Sequence, residues 1–161
     1  MKCSVRLISN QTDLLSSSFF ESLSDEYDFD VDFHKLEEPT NIESMHEGKL
    51  VIKGDNVEVR FVDSVSKNND TKSIVRFNKK NPDEVVVSRE GALNSTMFFT
   101  KGKRNISVYD TGIIPFEICI FTKSIDNQLL EKGYIEIVYY VELKGASVQQ
   151  NSLRMEIKKN D

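Results

Sequence analysis

Residues 48–61 read GKLVIKGDNVEVRF, and this stretch decides the fold. After a turn at Gly54-Asp55-Asn56, apolar side chains alternate with polar ones at 57, 59 and 61. Such a period of two is typical of a strand with one buried face. Two apolar runs joined by a short Gly/Asp/Asn turn predict a β-hairpin.

The same alternation continues through most of the chain. It predicts further strands over 3–7, 73–77, 84–89, 96–100, 105–111, 116–122, 135–143 and 153–157. Parallel neighbours need long crossover connections, and no helical period here supplies them, so the strands are expected to be antiparallel. Closure into a barrel removes exposed strand edges. We therefore predict one all-β domain over residues 1–161, a closed up-and-down barrel of eight to ten strands.

Residues 10–35 interrupt this pattern. Asp13 precedes an apolar run and predicts a short capped helix. Aromatic and aspartate residues then alternate over 27–33, which is typical of an amphipathic strand with a carboxylate face. We interpret the segment as an acidic insertion between the first two strands, packed on the barrel by its aromatic residues. The alternative is a mobile acidic arm.

Charge and composition limit the classes of function. Residues 21–47 hold ten acids against the single base Lys35, so this segment carries −9 and the rest of the chain +4, for a net charge of −5. An acidic total argues against nucleic-acid binding, which depends on Lys and Arg. No apolar run has the roughly 18 residues of a membrane span. The two cysteines, Cys3 and Cys119, favour free thiols in a reducing compartment.

A series of short segments resembles a known family. The series is Arg89-Glu90-Gly91, Phe99 with Gly102, Tyr109-Asp110-Thr111, Thr122-Lys123-Ser124-Ile125 and Gly133-Tyr134-Ile135-Glu136-Ile137-Val138-Tyr139. In this order and spacing, it resembles the YwiB-like family of small uncharacterised bacterial proteins. The resemblance covers about residues 40–158 and the first strand. It implies a calycin-type, lipocalin-like β-barrel in the bacterial cytoplasm, and it supplies no catalytic residues.

The chain departs from the family pattern in three places. Residues 10–35 are extra length between the first two strands. Phe61 stands where a tyrosine is common, and Asp63 stands near a usual glutamate. Residues 112–115, Gly-Ile-Ile-Pro, replace the usual Pro-x-Gly turn.

Arg89 is the main candidate for a binding residue. It shares a strand face with Val85 and Val87, so inward valines would carry its guanidinium into the barrel or its mouth. A buried guanidinium needs a carboxylate, carbonyls or a bound anion. Strand alternation makes Thr122 and Tyr139 candidate partners, and calycin-type fatty-acid carriers hold a ligand carboxylate with arginine and tyrosine. A structural ion pair, or an arginine in water at the strand end, is the favoured alternative.

The interior of the barrel is expected to be crowded. An eight-stranded barrel is either filled by side chains or just wide enough for one small ligand. The positions expected to face inward are Phe61, Phe77, Phe99, Phe116, Ile118, Ile120, Ile135, Ile137, Tyr139, Leu153 and Met155. Their bulk favours a filled core over a ligand cavity.

No metal site or cofactor is predicted. Asp28-x-Asp30-x-Asp32 lacks the glycine and glutamate that an EF-hand loop needs further along, because Phe33 and Pro39 stand at those positions. His34 and His46 match no zinc-ligand spacing.

Two functions from different classes remain. The first is a non-catalytic protein that binds a small apolar or amphipathic anion at the barrel mouth near Arg89. The alternative is a protein-interaction module with a filled core, whose contact surface is the acidic segment 21–47. We do not expect an enzyme, because no nucleophile–base pair, carboxylate dyad or phosphate loop is recognisable. Neither a nucleic acid nor a membrane is predicted as a partner.

Overall fold

A computed structural model describes residues 1–14, 40–66, 69–91, 94–110, 115–143 and 146–160. The elements in chain order are β1 (Lys2–Asp13), β2 (Thr40–Lys53), β3 (Asn56–Ser66), β4 (Asn69–Asn78), β5 (Asn81–Glu90), β6 (Asn94–Thr100), β7 (Arg104–Asp110), β8 (Pro115–Gln128), α1 (Leu129–Lys132), β9 (Tyr134–Leu143) and β10 (Ala146–Lys159). Consecutive strands are neighbours, all pairs are antiparallel, and β10 pairs with β1 to close the barrel. The predicted all-β antiparallel barrel is confirmed.

The strands extend beyond their predicted bounds. Strand β1 continues to Asp13, so residues 10–13 belong to the barrel and not to the predicted insertion of residues 10–35. Strand β2 begins at Thr40, within the segment that was read as acidic surface. The sequence does not show the alternation of apolar and polar residues in these two segments, because both faces of the strands carry polar side chains there. The helix and strand predicted for the rest of the insertion fall on 15–39, outside the described residues.

The two ends of the barrel differ. At the lower end, where β1 begins, short turns and α1 join the strands. Gly54 and Gly102 adopt left-handed backbone angles in two of these turns, with φ of 61° and 75°. At the upper end, β1 ends at Asp13 and β2 begins at Thr40.

Strands β1, β2 and β3 approach one another closely at Gly48. A Cβ atom built there would lie 2.7 Å from Val5 Cγ2 and 2.8 Å from the Arg60 carbonyl oxygen, so no larger residue fits. Gly48 also ends the pairing of β2 with β3, because residues 40–47 of β2 pair only with β1 among the described strands.

The lower half of the barrel is filled as predicted. Of the eleven positions expected to face inward, seven are buried: Phe61, Phe77, Phe99, Ile120, Ile135, Ile137 and Met155. They pack with Val5, Val57, Val59 and Val85, which are fully buried. Ile118, Tyr139 and Leu153 are only partly buried, and the Phe116 side chain lies outside the described part. These three partly buried residues lie higher in the barrel, where the interior is hollow.

Candidate ligand-binding cavity

The upper half of the barrel encloses a cavity of about 460 Å³. Its apolar lining consists of Leu7, Ile42, Val87, Met97, Phe99, Ile118, Val141 and Leu153. Its polar lining consists of Ser9, Gln11, Ser44, Arg89, Tyr139, Gln149 and Asn151. Small-molecule pockets typically measure about 300–1,000 Å³ and combine apolar walls with a few polar groups. The cavity therefore has the size and chemistry of a site for one small ligand.

The cavity ends at the packed half of the barrel. A small apolar void of about 20 Å³ lies there, walled by residues such as Phe61, Val75 and Ile137. Leu7, Val87, Arg89 and Leu153 border both spaces. Arg89 is therefore at the inner part of the cavity, where the hollow half meets the filled half.

Arg89 faces inward on β5 because it alternates with the buried residues Val85 and Val87. Its side chain is half-buried. The ion pairs that join described residues use Arg6, Arg60, Lys80, Arg104 and Arg154 as cations. Among the described residues, no carboxylate pairs with the Arg89 guanidinium, and no atom accepts a hydrogen bond from this guanidinium. A partly desolvated guanidinium in this position favours a bound anion.

Two serines lie directly beside Arg89 on the inner face. Ser73 on β4 and Ser95 on β6 are its cross-strand partners. Both are buried, and their hydroxyl oxygens have no hydrogen-bond partner within the described part of the chain. The sequence reasoning missed these residues, although strand register places small polar side chains opposite Arg89 on both sides.

Tyr139, one of the two candidate partners of Arg89, lines the same cavity as Arg89. Its ring packs edge-on against Phe99, with ring centroids 4.8 Å apart. Thr122 is the cross-strand partner of Tyr139, but it is fully buried and is not part of the cavity lining. Its Oγ1 has no partner among the described residues. The structure thus brings Arg89 and Tyr139 together around one space and places Thr122 in the packed core.

Asn151 and Gln149 are further polar residues of the cavity wall. Asn151 lies opposite Tyr139 on one side and Gln11 on the other. The amide Nδ2 of Asn151 donates to Gln149 Oε1 at 3.0 Å, and Gln149 Nε2 donates to Asp13 Oδ1 at 3.3 Å. The sequence prediction began the last strand at 153. Continuing its alternation backwards through 151 and 149 would have placed both amides inside the barrel.

His46 also faces the interior but makes no metal site. Its Nε2 lies 2.8 Å from the Ser44 hydroxyl, and its ring stacks on Phe61 with centroids 5.3 Å apart. Within the described ranges, no three His, Cys, Asp or Glu side chains come close enough to hold a metal ion. His34 and the aspartates at 28, 30 and 32 lie outside those ranges.

The two thiols are free and lie apart from the cavity lining. Burial raises the pKa of Cys3. Burial also raises the pKa of Cys119, and the Glu142 carboxylate, which accepts a hydrogen bond from this thiol at 3.6 Å, raises it further. Protonated thiols are weak nucleophiles, so neither cysteine has the environment of a catalytic one.

A closed ten-stranded antiparallel barrel with a ligand-sized cavity at one end is thus the class of protein that the fold and site define. A family described as "Domain of unknown function (DUF1934)" matches residues 31–155, and the chain belongs to this family. A crystal structure of the ywiB protein from Bacillus subtilis is similar at 18% sequence identity, with a TM-score of 0.66. The likeness covers 98% of this chain and 92% of that chain, and it shows the fold.

The resemblance to the YwiB-like family is therefore confirmed. No curated protein matches the chain. No helix among the described residues has the length and apolar character that a membrane crossing requires.

Proposed function

We propose that the chain is a non-catalytic bacterial protein of the cytoplasm that holds a small amphipathic anion in its upper cavity. One observation carries this proposal: Arg89 lines a partly open cavity with apolar and polar walls, and its guanidinium has no anionic partner among the described residues. A cation in such a place is costly unless an anion joins it. The free cysteines support a reducing compartment such as the cytoplasm.

The distribution of polar groups supports one orientation of the ligand. Arg89 borders the packed half, so the anionic group would lie at the inner part of the cavity. Gln11 and Gln149 lie nearer the upper end of the barrel, where β1 ends and β10 begins. The apolar body of the ligand would then contact residues such as Ile42, Ile118 and Val141. Tyr139 offers a hydroxyl on the same wall.

The alternative function finds less support. Of the ten acids in segment 21–47, only Glu43 and Glu47 lie within the described residues. Glu43 is engaged by Arg6, whose Nε lies 2.7 Å from its Oε1. A carboxylate that already pairs within the barrel wall is less available to a protein partner.

The proposal is tested by Arg89→Met, with Arg76→Met as the matched control. Arg76 is an exposed arginine on the outer face of β4. Its cross-strand partners are Glu58 on β3 and Val86 on β5. Decanoate serves as the probe, measured by its displacement of the fluorescent dye 1-anilinonaphthalene-8-sulfonate. We expect Arg89→Met to weaken decanoate binding about 10–100-fold, the usual value of hydrogen bonds to a charged group.

Thermal unfolding completes this test. Arg89→Met is expected to melt no lower than the wild type, because it removes a half-buried charge without a partner. Arg76→Met is expected to bind decanoate as the wild type does. A large loss of stability in Arg89→Met, with decanoate binding unchanged, would refute the proposal and indicate a structural arginine.

A further inference from the structure

Hydrogen-bond direction fixes how Asn151 faces the cavity. The Asp13 carboxylate only accepts hydrogen bonds, so the Gln149 amide must turn its Nε2 toward it. The Gln149 oxygen then faces Asn151 and accepts from its Nδ2. The Asn151 oxygen, Oδ1, is therefore directed away from Gln149. This assignment follows from the donors and acceptors alone and does not depend on distinguishing amide oxygen from nitrogen.

Among the described residues, none donates a hydrogen bond to Asn151 Oδ1. Asn151 is only 6% exposed, and the surface that it retains lines the cavity. Its hydrogen bond to Gln149 uses the amide nitrogen, and no described residue donates to the oxygen. Apolar neighbours such as Val141 and Leu153 cannot do so. A carbonyl oxygen at the cavity surface that receives no hydrogen bond from the protein is free to accept one from a ligand.

We propose that Asn151 Oδ1 is the acceptor for a hydroxyl group on the ligand, so that the cavity selects an amphipathic carboxylate with a hydroxyl on its apolar body. This inference rests on the proposed function and names its ligand class. Arg89 is the one cation among the described residues that line the cavity, and it suits a monoanion such as a carboxylate. The hydroxyl supplies the missing donor at Asn151 without adding charge. Asp13 does not line the cavity and acts as a positioning residue through Gln149.

The experiment compares decanoate with 2-, 3- and 10-hydroxydecanoate and with 10-aminodecanoate, each by displacement of 1-anilinonaphthalene-8-sulfonate. The wild type is expected to bind at least one hydroxydecanoate about tenfold more tightly than decanoate, the value of one well-formed hydrogen bond. Asn151→Leu should abolish this preference, so that the hydroxydecanoates bind no more tightly than decanoate. The matched control is Gln150→Leu, the neighbouring residue on the other face of β10, which should keep the preference.

Asp13→Asn provides a second test that does not change the cavity lining. An amide in place of the carboxylate no longer fixes the direction of Gln149, because it both donates and accepts. The hydroxyl preference should fall at least threefold while decanoate affinity stays unchanged, which a purely structural role would not produce. Asp13→Asn also tests the hydroxyl assignment if Asn151→Leu fails to fold.

The outcomes separate the two proposals. If the wild type binds decanoate and no hydroxydecanoate binds better, the proposed function stands and the hydroxyl assignment is overturned. The assignment also fails if the preference survives in Asn151→Leu, or if 10-aminodecanoate binds more tightly than every hydroxydecanoate. If none of these compounds binds, the proposed function fails as well.

Discussion

Around Arg89 the protein keeps several polar groups that the described chain does not satisfy. The guanidinium has no anion, and the hydroxyls of its neighbours Ser73 and Ser95 have no acceptor or donor within the described ranges. A buried polar group left without a partner costs about 1–3 kcal/mol. Such groups are rare in folded proteins and call for an explanation. Arg89 lines the cavity and the two serines flank it in the sheet, and this cluster is the residue-level reason to place a ligand there.

Thr122 is a polar residue of the packed core and not of the cavity wall. It is fully buried, its Oγ1 has no described partner, and it does not line the cavity. Thr122→Val replaces the hydroxyl with a methyl group of similar size, so we predict a gain of about 1 kcal/mol in the free energy of unfolding. Decanoate binding should remain as in the wild type. Urea unfolding and dye displacement measure the two effects.

Thr100→Val is the control for this gain. Thr100 Oγ1 accepts a hydrogen bond from Asn105 Nδ2 at 3.0 Å, so the same substitution there should stabilise nothing. If Thr122→Val weakened decanoate binding, Thr122 would belong to the site, as the sequence reasoning proposed.

At the scale of the strands, a row of alternating charges ties β2, β1, β10 and β9 together on the outer face. Arg6 reaches Glu43 at 2.7 Å and Glu156 at 3.3 Å. Arg154 reaches Glu156 at 2.8 Å and Glu136 at 2.9 Å. Exposed pairs contribute little one by one, but a network that joins four strands adds cross-strand specificity.

This network predicts an acid dependence of stability. Hydrogen bonds from Arg154 lower the pKa of Glu156, and a hydrogen bond from Arg6 lowers the pKa of Glu43. A lowered pKa in the folded state gives stability that is present above the unfolded value, about 4.3, and is lost as the pH falls through the folded pKa. We predict that Glu156→Gln lowers the melting temperature at pH 7 and flattens its decline between about pH 5 and 3.

Melting curves of Glu156→Gln and the wild type, recorded at pH 7 and at several values between about pH 5 and 3, test this prediction. Each series is recorded at low salt and at 1 M NaCl. At 1 M NaCl the difference between Glu156→Gln and the wild type should shrink, because salt screens exposed charges. Equal pH profiles of the variant and the wild type at low salt would show that the network does not contribute.

The elements themselves were largely predictable from the sequence. Period-two alternation located every strand of the barrel, because each strand has one face in the interior. The bounds were less predictable. Residues 40–47 and 149–151 continue β2 and β10, yet Ser44, Gln149 and Asn151 face the interior with polar side chains. Alternation of apolar and polar residues cannot reveal a strand segment whose inner face is polar. In these two segments, the polar inner face forms the cavity wall.

At the scale of the whole molecule, the barrel is divided into a packed lower half and a hollow upper half. Inward residues of similar bulk occur in both, so composition favoured a filled core throughout. The difference arises from position in the barrel: Phe61 and Phe77 belong to the buried core of the lower half, whereas the upper wall includes short side chains such as Ser9 and Ser44. Which side chains meet across the interior depends on strand register, and the sequence alone does not specify register for ten strands.

The most direct test of the central claim is native mass spectrometry of the recombinant protein, after incubation with decanoate, compared with its denatured mass. We expect a discrete additional mass on the folded wild type that is lost on denaturation and is strongly reduced in Arg89→Met. A folded wild type that shows only the mass of its own chain, with decanoate in excess, would contradict it.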